Sequence, residues 1–122
     1  MAGSANFYPQ WLSGEYFAYP TSKVVCIGRN YAAHAAELNN PIPDEPILFI
    51  KPSTSVVPIQ RGIRWPKGVG ECHLETEVSL LIGKQLSRAE PSQALNAIDG
   101  VGVGFDLTLR DLQTQLKNKG HP

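Results

Sequence analysis

The sequence predicts an α+β domain, and three observations carry that prediction. Short β-rich runs at residues 23–27, 47–50, 73–82 and 100–106 are interspersed with helix-prone stretches. The order of these elements lacks the regular strand–helix repeat of a doubly wound sheet. Glycine or proline marks nearly every junction between them.

Composition agrees with a globular chain: hydrophobic residues make up 42% and charged residues 18% of the 122 positions, a balance able to form a packed core. One core is possible at this length, and a packed domain is expected. Lys plus Arg and Asp plus Glu each number 11, for zero formal charge, and no basic block interleaved with aromatics offers a nucleic-acid face. Nucleic acid is therefore not an expected partner. Nor is a membrane: no basic start leads into an apolar stretch, and no apolar run approaches bilayer length. The expectation is a soluble, cytoplasmic protein. Cys26 and Cys72 make neither a disulfide framework nor a CxxC pair, and Cys26, inside the apolar run 24–27, is expected to be a buried, inert thiol.

Residues 1–22 carry scattered aromatics without sustained period and read as an N-terminal arm ahead of a domain portion covering 23–122. Residues 23–27 form a short buried strand closed by Gly28. The Ala-rich stretch 30–38 has high helix propensity and stops at Asn39-Asn40-Pro41. A second strand follows at 47–50, and the punctuated stretch 53–71 reads as turns between short strands. Residues 73–82 begin with alternation and become continuously apolar before Gly83, as a strand running from a site into a core would. Residues 91–98 suggest a helix with Pro91 early, and 100–106 a Gly-spaced strand. The last helix is expected to open on a Thr108–Asp111 capping box, present Leu109, Leu112 and Leu116 on one side, and end at Gly120.

Three carboxylates stand out. Glu75 and Glu77 are two apart on a strand, so both point to the same face with Cα atoms roughly 7 Å apart, and they repel unless a counter-ion sits between them. Asp106 ends the Gly-spaced strand just before a helix. Oxygen donors without cysteine suit a hard divalent cation better than zinc. The competing account is a solvated strand face. His73 shares the Glu75 face and could help bind the metal, though hydrogen-bonding to its ligands or a merely structural role is the stronger expectation. His34 and Glu37 are spaced i, i+3 on a helix, where a carboxylate can orient an imidazole as a general base; a plain surface contact is the alternative. The Gly28-Arg29-Asn30 junction can present backbone N–H groups and a guanidinium to a carboxylate, and Lys51 stands at a strand end as a charged anchor.

Four stretches taken together resemble the fumarylacetoacetate hydrolase family, most closely its small acylpyruvate hydrolase and oxaloacetate decarboxylase branch. They are residues 28–37, Gly-Arg-Asn-Tyr-Ala-Ala-His-Ala-Ala-Glu; residues 46–53, Pro-Ile-Leu-Phe-Ile-Lys-Pro-Ser; residues 73–77, His-Leu-Glu-Thr-Glu; and residues 106–113, Asp-Leu-Thr-Leu-Arg-Asp-Leu-Gln. The resemblance implies a mixed β-sheet roll or barrel, present as its N-terminal half, and a homodimer. It implies Glu75, Glu77 and Asp106 as ligands of Mg2+ or Mn2+, and His34 with Glu37 as a dyad on a helical lid. Arg29, Lys51, Arg110 and Gln113 match positions near a small 2-oxo acid substrate.

The activity so implied is metal-dependent hydrolysis of a C–C bond in acylpyruvates such as fumarylpyruvate. Decarboxylation of oxaloacetate, or tautomerisation of a 2-oxo acid, is the alternative on the same site. A third reading, of another class, is an inactive half-domain that only binds metal or a partner. The family's domain runs about twice as far, and its later lysine and Thr-Gly-Thr-Pro-like loop have no counterpart before Pro122.

Overall fold

A computed structural model describes residues 6–31, 33, 37, 39, 41 and 43–121. The chain divides into two compact units, residues 1–63 and 64–122.

In the first unit, β1 (Lys23–Gly28) and β2 (Ile47–Pro52) pair antiparallel, with Val24 opposite Lys51 and Gly28 opposite Ile47. β-branched and aromatic side chains supply both strands. The second strand thus continues through Lys51 and Pro52, two residues past its expected stop. Helical backbone at Ala33 and Glu37 falls within the expected Ala-rich helix. Before β1, Gln10 and Tyr16 form a single bridge, and Phe17 packs edge-on against Trp11 and Tyr19, with ring centroids 6.1 and 5.9 Å apart. Residues 53–71 do not hold the short strands expected there. Single 3₁₀ turns at Ser53–Ser55 and Ile59–Arg61 occupy part of that stretch, each entered from a proline in extended conformation.

In the second unit, β3 (Cys72–Ile82) and β4 (Ile98–Leu109) form a long antiparallel pair joined through α1 (Pro91–Leu95), and α2 (Arg110–Asn118) follows β4 directly. Two expectations about helix ends change. The helix from Pro91 stops at Leu95, because Ile98 is already paired with Ile82. Thr108 caps nothing, since it lies within β4 opposite His73, and Leu109 precedes the helix without a side-chain cap. A reciprocal capping box is present on α1, between Glu90 and Gln93. Gly120 ends α2 as expected. At φ 70° it lets its N–H reach Lys117 O at 3.0 Å, and the His121 N–H reaches Leu116 O at 2.8 Å, a Schellman closure.

The pairing sorts the side chains of this hairpin, since residues directly opposite share a face. One face carries Leu74, Val78, Leu80 and Ile82 with Val101, Val103, Phe105 and Leu107; the other carries His73, Glu75, Glu77 and Ser79 with Thr108, Asp106, Gly104 and Gly102. Ala97 is the one fully buried hydrophobic residue among those described, and Cys26, expected to be buried, is half-buried.

Candidate metal and 2-oxo acid site

Glu75 stands directly opposite Asp106 across the β3–β4 ladder, and Glu77 follows two residues along the same face. All three are half-buried. Directly opposed like charges destabilise a sheet, and partial burial weakens the water screening that would relieve them. Such a face needs positive charge.

Arg110, the first residue of α2, supplies part of it. Its Nη2 donates to Glu75 Oε1 in a close ion pair, with side chains only 14% and 26% exposed. Its Nε donates to His73 Nδ1 at 3.2 Å, and Nη1 to Gln113 Oε1 at 2.6 Å. His73 is thereby linked to Glu75 through the Arg110 guanidinium. Arg110 and Gln113, read from the resemblance as substrate positions, meet each other, one helical turn apart.

The turn that starts β3 is fastened to the same helix. Asp111 Oδ2 accepts the Glu71 N–H at 2.9 Å, and Arg110 N–H donates to Glu71 O at 2.8 Å. Gly70 lies against this clamp at φ 80°, where an added Cβ would collide with Asp111 Oδ2. A hollow of about 350 Å³ lies beside it, lined by Gly68, Val69, Gly70, Asp111, Leu112 and Gln115. None of the sequence-predicted site residues lines that hollow.

In the first unit, a second hollow of about 200 Å³ sits where β1 ends, lined by Ile27, Gly28, Arg29 and Asn30 with residues 43–46. Arg29 occupies the left-handed region at φ 54°, uncommon for a side chain other than glycine. It lies in the junction singled out in the sequence for carboxylate recognition. Lys51 is half-buried opposite Val24. Glu37 is exposed and helical, and His34 lies outside the described residues.

The donor set fits a hard divalent ion in kind: three carboxylates, placed by the ladder on one face. The side chains do not yet converge, since among the described residues no three His, Cys, Asp or Glu groups come close enough to hold an ion. Glu75 is drawn instead to Arg110. The ladder places the three carboxylates on one face, and their side chains stand apart there.

The sequence profile described as fumarylacetoacetate (FAA) hydrolase C-terminal matches residues 23–122. The chain belongs to the fumarylacetoacetate hydrolase family. Oxaloacetate tautomerase YcgM of Escherichia coli K12 is 44% identical over 109 residues, 89% of this chain and 50% of that protein. Among solved structures, a candidate fumarylacetoacetate isomerase/hydrolase from Oleispira antarctica is 54% identical, with a TM-score of 0.88 over 93% of this chain and 51% of that one. Fumarylpyruvate hydrolase from Pseudomonas aeruginosa, solved in complex with Mn2+ and pyruvate, is 35% identical with a TM-score of 0.85, covering 100% of this chain and 54% of its own. The chain thus spans about half the length of the relatives it matches, and its fold is that of the corresponding half of the family's α+β domain. The roll is not closed within it: the described strands form two separate antiparallel pairs. No helix among the described residues is long and apolar enough to cross a membrane.

Proposed function

We propose that this chain supplies the metal-binding portion of an enzyme that interconverts keto and enol forms of a small 2-oxo dicarboxylic acid, with oxaloacetate as substrate. The observation that carries this reading is the ladder register, which sets Glu75, Glu77 and Asp106 on one half-buried face. The 44% identity to an oxaloacetate tautomerase favours this reaction over the acylpyruvate hydrolysis put first by the resemblance. Hydrolysis remains the second reading, favoured by the Mn2+ and pyruvate complex of the 35% identical fumarylpyruvate hydrolase.

In this proposal Glu75, Glu77 and Asp106 hold Mg2+ or Mn2+, which when bound draws electron density from the 2-oxo group and so stabilises the enolate charge. Tautomerisation breaks a C3–H bond, forms the C2–C3 double bond and returns a proton to the C2 oxygen. His34 takes the C3 proton, and Glu37, three positions on in the sequence, orients the imidazole and offsets its charge. Arg29 and Lys51 neutralise the substrate's carboxylates. In the hydrolytic version His34 takes a proton from water instead, the water oxygen bonds to the distal acyl carbonyl carbon, and the C–C bond then breaks to give a carboxylic acid and pyruvate enolate, which takes up the proton at C3.

The test is to follow enol-oxaloacetate by its ultraviolet absorbance with added Mg2+ or Mn2+, measuring pyruvate in parallel. Accelerated loss of the enol without pyruvate release supports the tautomerase. Pyruvate and fumarate from fumarylpyruvate support the hydrolase. Tight Mn2+ binding without any turnover would leave the chain a binding half-domain and overturn both.

A further inference from the structure

Arg110 spends its guanidinium on three different side chains, and all three edges of the fork are in use. Nε meets His73, Nη1 meets Gln113 and Nη2 meets Glu75. Because a guanidinium N–H can only donate, His73 Nδ1 must accept, so the imidazole proton resides on Nε2. That nitrogen faces Glu71 Oε1 at 3.0 Å. Glu71 is itself fixed to the helix start through Asp111 Oδ2 and the Arg110 N–H. The result is a closed ring of polar contacts, Glu71 to His73 to Arg110 and back to Glu71, with Glu75 held at its edge.

We infer that Arg110 is a positioning residue for Glu75. It acts through the carboxylate: the fork sets where Glu75 Oε1 lies relative to β3, and α2 with the Glu71 clamp sets where the fork lies. A point-charge ammonium cannot replace it, because one lysine nitrogen cannot span three acceptors in a plane. Such outer contacts to a ligand residue commonly alter metal affinity by tenfold to a hundredfold. This inference rests on the reading of Glu75 as a metal ligand.

The experiment is a Mn2+ titration of the purified chain, read by the electron paramagnetic resonance of unbound Mn2+, for the wild type, Arg110→Lys, Gln113→Ala, Glu75→Gln and the Arg110→Lys/Glu75→Gln double variant. Positioning predicts that Arg110→Lys weakens Mn2+ binding about tenfold or more, with circular dichroism unchanged. It also predicts that the substitution adds less than about twofold once Glu75 is Gln, since the two residues act as one unit. Should Arg110→Lys fail to fold, Gln113→Ala, which removes a single arm of the fork, carries the same test with a smaller loss. Unchanged Mn2+ affinity in the folded Arg110 or Gln113 variant overturns the inference. Equal losses with and without Glu75 overturn it too. If Glu75→Gln alone leaves Mn2+ affinity intact, the reading of Glu75 as a ligand fails first, so the two failures are told apart.

Discussion

The two faces of the β3–β4 hairpin are assembled from alternate residues of the same strands, yet their exposures run opposite to their chemistry. The charged face is the more covered one: His73, Glu75, Glu77, Asp106 and Thr108 are all half-buried. On the apolar face, Val78 is 65%, Val103 70% and Val101 73% exposed. α2 explains part of the first observation, because Arg110 reaches back over Glu75 and His73. Alternation therefore shows which residues share a face, while the elements packed against the sheet decide which face is covered.

The strongest way to break this comparison is to remove the charge from the covered face. Replacing both Glu75 and Glu77 by Ala should cut Mn2+ affinity on the order of a hundredfold or more, because ligand charge count sets affinity at such sites. Unaltered binding in a calorimetric titration would return the carboxylates to an ordinary solvated strand face. A smaller effect is expected from crowding the same face. A Cβ at Gly104 would lie 2.8 Å from Ser79 Oγ, whereas one at Gly102 meets nothing within 4 Å. Gly104→Val should destabilise by about 1–3 kcal/mol through overpacking, and Gly102→Ala should be neutral or slightly stabilising; urea unfolding midpoints compare them. Gly120→Ala serves as a control outside both faces, costing about 1 kcal/mol because the Schellman closure needs a left-handed residue. The smallest effect belongs to the open face. Val103→Lys should change stability by no more than about 0.5 kcal/mol, lower the fluorescence of a bound hydrophobic dye, and leave Mn2+ affinity unaltered. A large loss of stability would mean that the face is already covered in solution.

Much of this was legible from residue order. The i, i+2 glutamates on a strand, the strand from Lys23, the Gly-spaced strand before Asp106 and the glycine stop of the last helix follow from period and punctuation alone. The failures share a cause, which is pairing across the sheet. Thr108 and Asp111 have the spacing of a capping box, but the ladder to His73 and Cys72 keeps β4 extended through Leu109, and the backbone hydrogen bonds of a paired strand outweigh one side-chain cap. The same competition shortens the helix from Pro91, whose continuation is claimed by Ile98 pairing with Ile82. The Glu90–Gln93 box is hard to read from residue types, because glutamate is an unusual residue to begin one. Arg110 shows the limit most sharply. Its partners lie 35 and 37 positions away, and only the register that sets Glu75 opposite Asp106 brings the helix start within reach of them.

β4 alternates glycine with bulky apolar residues: Gly100, Gly102 and Gly104 lie on one side, Val101, Val103 and Phe105 on the other. It is in effect a one-sided ribbon, with its side-chain volume almost entirely on the apolar side along this stretch. Adhesion and room are thereby written in separate positions. Substitutions at odd numbers retune what the ribbon sticks to, while those at even numbers retune how much space stands beside the carboxylates, and neither kind has to shift the pairing to do so.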